Sequence, residues 1–189
     1  MNDSIAKTLL IPLISSLTDT KAKTIKSTNI DDRIDIILEA IDEGKRDPVV
    51  RQVLGDILKN VDEKDYEGEL LAIFQWVREN IRYTRDPHNV ELFQRARRIM
   101  ELGLADCDCL SILIGSMVQS IGYPLRLRVI GVSSPEPEHI YPMVAIAPTE
   151  NAISDDDWVA MDASINQPMG RQVPEENIQF IQDYEDDDS

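Results

Sequence analysis

The sequence is short of several residue types, and each shortage narrows what the protein can be. Among 189 residues there are 2 cysteines and 2 histidines. Two cysteines cannot build a disulfide framework, so nothing calls for an oxidising compartment. Basic residues are scarce too: 19 Lys and Arg stand against 35 Asp and Glu, for a net charge of −16. Nucleic acids and anionic membrane surfaces need clustered Lys and Arg, so neither is expected as a partner. No run approaches the roughly 18 apolar residues that would span a bilayer. The stretch Leu9-Leu-Ile-Pro-Leu-Ile14 is short and holds Pro12, with no small-residue cleavage motif close behind it. It reads as a packing segment and not as a signal peptide, and a cytoplasmic location follows.

What remains is enough to fold. Hydrophobic residues make up 42% of the chain and charged residues 29%, which excludes a wholly disordered protein. The length fits one domain, or one domain with an appendage. The first third looks helical. Ile30, Ile34, Ile36, Ile37 and Ile41 recur at helical spacing behind the start signals Asp31 and Asp32, and Gly44 suits a stop. Val49 to Leu58 after Pro48 gives a second amphipathic helix, and Glu67 to Ile81 a third. Glu91 to Leu102 is expected as a short helix ending at Gly103, and Asp106 to Ile121 as a strongly apolar one closed by Gly122. The period then changes. Leu125 to Ile130, Ile140 to Ile146 and Trp158 to Met161 are β-prone, so helices precede strands and an α+β domain with an antiparallel sheet is expected. From residue 150 on there are twelve acids and one base, Arg171, which places −11 of the net charge there. The end of the chain therefore reads as a solvated tail, mobile beyond about Ile181.

The scarcity of Cys and His shortens the search for chemistry. Cys107 opens the apolar helix with Asp106 placed to cap it. A thiol there meets the positive end of the helix dipole, and its own N–H can point at a developing oxyanion. Asp106 and Asp108 oppose thiolate formation, so a histidine that takes the proton is needed. The plain alternative is that Cys107 and Cys109 are buried apolar residues. A zinc site from both cysteines, His88 and His139 is disfavoured, because Cys-x-Cys does not match the usual Cys-x-x-Cys knuckle. Asp155-Asp-Asp157, with Asp106 and Asp108, reads as solvated carboxylate and not as a calcium site. No metal or cofactor is expected, and His88 reads as an exposed loop residue.

Four segments stand in a telling order: Ala105-Asp-Cys-Asp-Cys109, Gly122-Tyr-Pro-Leu-Arg126, Glu138-His-Ile-Tyr141 and Trp158-Val-Ala-Met-Asp162. Together with Trp76-Val-Arg-Glu-Asn-Ile-Arg-Tyr83 and Asp86-Pro-His-Asn-Val-Glu-Leu-Phe-Gln94, they resemble the transglutaminase-like superfamily of papain-type cysteine enzymes, in a form similar to phage- and prophage-encoded members. The resemblance covers about residues 65 to 170. It implies a central helix bearing the cysteine, packed on a small antiparallel sheet. It divides the chain into a helical extension (1–62), the transglutaminase-like domain (63–174) and an acidic tail (175–189). It implies Cys107 as nucleophile, His139 as base and Asp162 as the residue that orients it. Gln94 is a candidate oxyanion donor, and Trp158 a candidate shield of the site from water. Register favours Cys107 over Cys109: Gly122 lies fifteen residues beyond the first and thirteen beyond the second. Ala105 replaces the family's usual Gly, and Cys109 stands where a second Asp is usual. The implied activity is thiol-dependent acyl transfer on a protein or peptide substrate. The alternative is a structural or assembly protein of a phage particle, with phage structural proteins as partners.

Overall fold

The structure, a computed structural model, describes residues 22–25, 29–86, 91–146 and 157–185. Five α-helices lie among them: α1 (Ile30–Lys45), α2 (Pro48–Leu58), α3 (Tyr66–Asn80), α4 (Ala96–Leu102) and α5 (Cys107–Gln119). The strands are β1 (Ala22–Ile25), β2 (Arg82–Tyr83), β3 (Glu91–Gln94), β4 (Leu104–Ala105), β5 (Leu125–Gly131), β6 (His139–Ala145), β7 (Trp158–Ala160) and β8 (Phe180–Glu185). None of these helices is long and apolar enough to cross a membrane. The Leu9–Ile14 segment lies outside the described residues.

Local chemistry sets the helix starts. Asn29, Asp47 and Asp65 each cap a helix by accepting a first-turn N–H, from Asp32, Val49 and Gly68 respectively. Pro48 occupies the first turn of α2, where its missing N–H costs nothing. Helix α5 is apolar on every side and is accordingly enclosed: all residues from Asp108 to Val118 are buried. Gly122, at φ +87°, lets the chain turn out of this helix into β5.

One main sheet has the order β7-β6-β5-β8, antiparallel throughout. Strand alternation gives it two faces. Leu125, Leu127, Val129, Ile140 and Val144 pack with α5 in the principal core. Ile130, Tyr141, Met143 and Ala160 form a smaller cluster on the opposite face, with Trp158, Val173 and Ile178 packed against it. Helices α1 and α2 belong to the principal core through Ile34, Ile37, Ile41, Val50, Val53 and Leu54. The approach of α1 to α5 depends on small residues. A Cβ at Gly44 would lie 2.1 Å from Ser116 Oγ, and one at Gly115 would lie 2.7 Å from Ile41 Cδ1.

Two expectations are corrected. Glu91–Gln94 is not the first turn of a helix but strand β3, antiparallel to β1, and the helix begins only at Ala96. Residues beyond Ile181 are not all a loose tail, because Phe180–Glu185 pairs with β5. Phe180 and Tyr184 reach the principal core, while Asp183 and Glu185 meet Arg128 and Arg126 of β5 at 2.7 Å each. Two of the acids that suggested a solvated tail, Asp183 and Glu185, are among the groups that hold this strand.

Candidate active site

Three elements converge on one cleft. Cys107 is the first residue of α5, and Asp106 ahead of it accepts the Cys109 N–H at 2.9 Å. His139 opens β6, and Asp162 lies two residues beyond the end of β7. His139 Nε2 and Asp162 Oδ2 are 2.7 Å apart. That contact leaves Nδ1 as the ring nitrogen able to accept a proton. Cys107 and His139 line the same open cleft of about 670 Å³, with Tyr83, Arg33 and Ser164 among its walls. The backbone N–H of Ile140, next along the chain from His139, favours negative charge on the Cys107 sulfur. The two cysteines differ as their register predicts: Cys107 keeps part of its surface, whereas Cys109 is buried and its thiol meets Leu92 O at 3.1 Å.

The electrostatics are dominated by acids. Burial, then the carboxylates of Asp108 and Asp106, push the Cys107 thiol well above its ordinary value, and the Ile140 N–H and Arg33 pull the other way. Such a thiol does not ionise alone at neutral pH. It needs a base in contact at the moment of attack. Asp106 is pushed up to about 7 by burial and by Asp108, against the Cys109 N–H. Burial also raises Asp162, but the His139 and Ser164 hydrogen bonds outweigh it and hold this carboxyl below its usual range. Asp162 is therefore an anion beside the imidazole. Glu138 is held at about 2 by hydrogen bonds from Ser133 and Val132, which fasten the β5–β6 hairpin immediately before His139.

The remaining sequence candidates fall elsewhere. Gln94 closes β3 opposite Ala22, and its backbone N–H faces the Cys109 thiol. Trp158 lies on the sheet face turned away from α5, with the Arg126 guanidinium 3.8 Å above its ring. Neither lines the cleft with Cys107. Period-two alternation along β7 puts Trp158 on the face of Ala160. His88, Asp155 and Asp156 lie outside the described residues.

Two participants escaped the sequence reading. Ser164 donates its hydroxyl to Asp162 Oδ1 at 2.6 Å, and its N–H reaches the same oxygen at 3.0 Å. A Ser two residues after an Asp is the signature of a local Asx turn, so this signal was present. Arg33 of α1 pairs with Asp108 at 2.8 Å across 75 residues of sequence, and no local pattern announces it.

A family model described as the transglutaminase-like superfamily matches residues 53–163, more than half of the chain. No curated protein matches it. Among solved structures, a candidate cysteine protease from Cytophaga hutchinsonii aligns over 83% of this chain at 14% identity, with a TM-score of 0.47. The chain spans 52% of the length of that protein.

Proposed function

The chain belongs to the transglutaminase-like superfamily, and on that premise we propose that it is a thiol-dependent acyl-transfer enzyme acting on protein or peptide substrates. Cys107 is the nucleophile, His139 the general base and acid, and Asp162 the residue that orients and stabilises the imidazolium. The observation that carries this reading is the 2.7 Å His139–Asp162 contact beside a cleft that Cys107 shares.

The chemistry follows from the charges. Because the thiol is held neutral, proton removal accompanies attack: His139 takes the Cys107 proton as sulfur bonds to the substrate carbonyl carbon. The carbonyl oxygen becomes an oxyanion. The Cys107 N–H, in the first turn of α5 where no intrahelical acceptor exists, is the donor aimed at it. The C–N bond then breaks, and His139 returns the proton to the leaving amine. A thioester at Cys107 remains. Water attacking it gives hydrolysis, and an amine gives transamidation; either route regenerates the thiol. Asp162 stays ionised throughout and fixes the imidazole tautomer.

An activated ester such as p-nitrophenyl acetate forms the acyl-enzyme without knowledge of the natural substrate. Intact-mass and peptide analysis should find acylation at Cys107 in the wild type and in Cys109→Ser. Cys107→Ser should show none, because a serine hydroxyl is a far weaker nucleophile than a thiol. Acylation at Cys109, or none at either thiol in the folded protein, contradicts the proposal. The latter would favour an assembly role.

A further inference from the structure

We propose that Arg33 is a positioning residue of this site: its guanidinium neutralises the Asp108 carboxylate beside Cys107 and so lets the thiol give up its proton. The inference rests on the reading of Cys107 as nucleophile and adds a component from outside the segment matched by the family model, which begins at residue 53.

The geometry is a relay of three groups. Asp108 is the second residue of α5, its side chain 3% exposed. One of its oxygens accepts Arg33 at 2.8 Å, and the other lies 3.7 Å from the Cys107 sulfur. A buried carboxylate at that distance repels a thiolate unless a cation answers it. The guanidinium answers it from α1, whose position against α5 is fixed by Ile34, Ile37 and Ile41 on one side and by the close fit of Gly44 on Ser116. Arg33 also forms part of the cleft wall around Cys107.

The other groups around the sulfur leave this task to Arg33. Tyr83, Arg85 and Asp86 come from β2 and the segment after it, Asp106 from the turn before α5, Glu138 from the end of the β5–β6 hairpin and His139 from the start of β6. Burial raises the Tyr83 hydroxyl, and the Arg85 charge beside it pulls the other way. Glu138 is engaged by Val132 and Ser133 of its own hairpin. His139 is engaged by Asp162. Arg33 is the cation that meets Asp108, at 2.8 Å.

The test is the pH dependence of Cys107 alkylation by iodoacetamide in the full chain, resolved by peptide mass analysis, with circular dichroism as a check on folding. Arg33→Met should raise the midpoint by about one pH unit and slow alkylation at pH 7 about tenfold. Arg33→Lys keeps the charge and should remain within about threefold of wild type. Asp108→Asn removes the opposing anion and should lower the midpoint. The double variant should lie between the two single ones. A structural role alone would not move the two partners in opposite directions. If Arg33→Met does not fold, Asp108→Asn and Arg33→Lys decide the matter. Midpoints unmoved in both, or Arg33 and Asp108 variants shifting the same way, overturn the inference while Cys107 stands. A wild-type Cys107 that does not alkylate overturns the inference and the nucleophile assignment together.

Discussion

Asp106 carries two opposing duties. It caps α5 through the Cys109 N–H, yet it is buried next to a second carboxylate and is pushed up to about 7. Its folded value lies above the unfolded one, so between about pH 4 and 7 the folded state holds the extra proton. Deprotonation is thus resisted by the fold, and stability falls as pH rises through that window. Asp162 works in the opposite sense, because its lowered value contributes stability above about pH 4 that is lost only in acid. Asn is an equally good cap and cannot ionise. Asp106→Asn should therefore be more stable than wild type at pH 8, by roughly 2–4 kcal/mol, and nearly equal to it at pH 4.5. Urea midpoints at the two values check this, and an unchanged pH slope would refute it. At this scale the sequence was informative where chemistry is local. Asp106 as cap and the opposite surroundings of Cys107 and Cys109 follow from helix register. Arg33 was illegible because its partner lies 75 residues away.

At the scale of elements, the contact of α1 with α5 sets the wall from which Arg33 reaches the cleft. Gly44→Ala would drive a methyl group into Ser116, whose hydroxyl already donates to Ile112 O within its own helix. A loss of about 1–3 kcal/mol is expected from overpacking. Gly55, inside α2, is the control: a Cβ there meets nothing within 4 Å. Gly55→Ala should stabilise by about 0.5–1 kcal/mol through helix propensity. Chemical denaturation of the two variants should give opposite signs, and equal destabilisation would mean that the helices are not in this register. Helices α1, α2, α3 and α5 were readable because each sustains its apolar period for three turns or more. Strand β3 was not, since four residues are too few to establish alternation and its partner β1 lies far upstream.

For the molecule as a whole, the surprise is where the acidic end of the chain goes. Charge composition argued for solvation, but Arg126 and Arg128 alternate on β5 with apolar residues and present two cations on one face. Asp183 and Glu185 have the matching alternation, and Phe180 and Tyr184 supply the apolar face. Pairing of this kind is specified between distant segments, and neither reads as a partner by itself. Arg128 holds Asp183 with two parallel hydrogen bonds of 2.7 Å, the geometry in which an ion pair contributes most. Deleting residues 183–189 removes both ion pairs and Tyr184, for about 2 kcal/mol. The melting temperature should fall by about 4–8 °C for a chain of this size. An unchanged melting curve would show that the strand contributes nothing. The order of helices before strands was legible, and so was the helix-on-sheet core, because the apolar period switches at Gly122.

The central claim is that Cys107 and His139 act as one unit. Its most direct test is the rate of Cys107 acylation by p-nitrophenyl acetate at pH 7 in wild type and in His139→Ala. If His139 is the base that takes the thiol proton, its loss should slow the reaction about a hundredfold, with the fold intact by circular dichroism. An equal rate in the two proteins would contradict the claim.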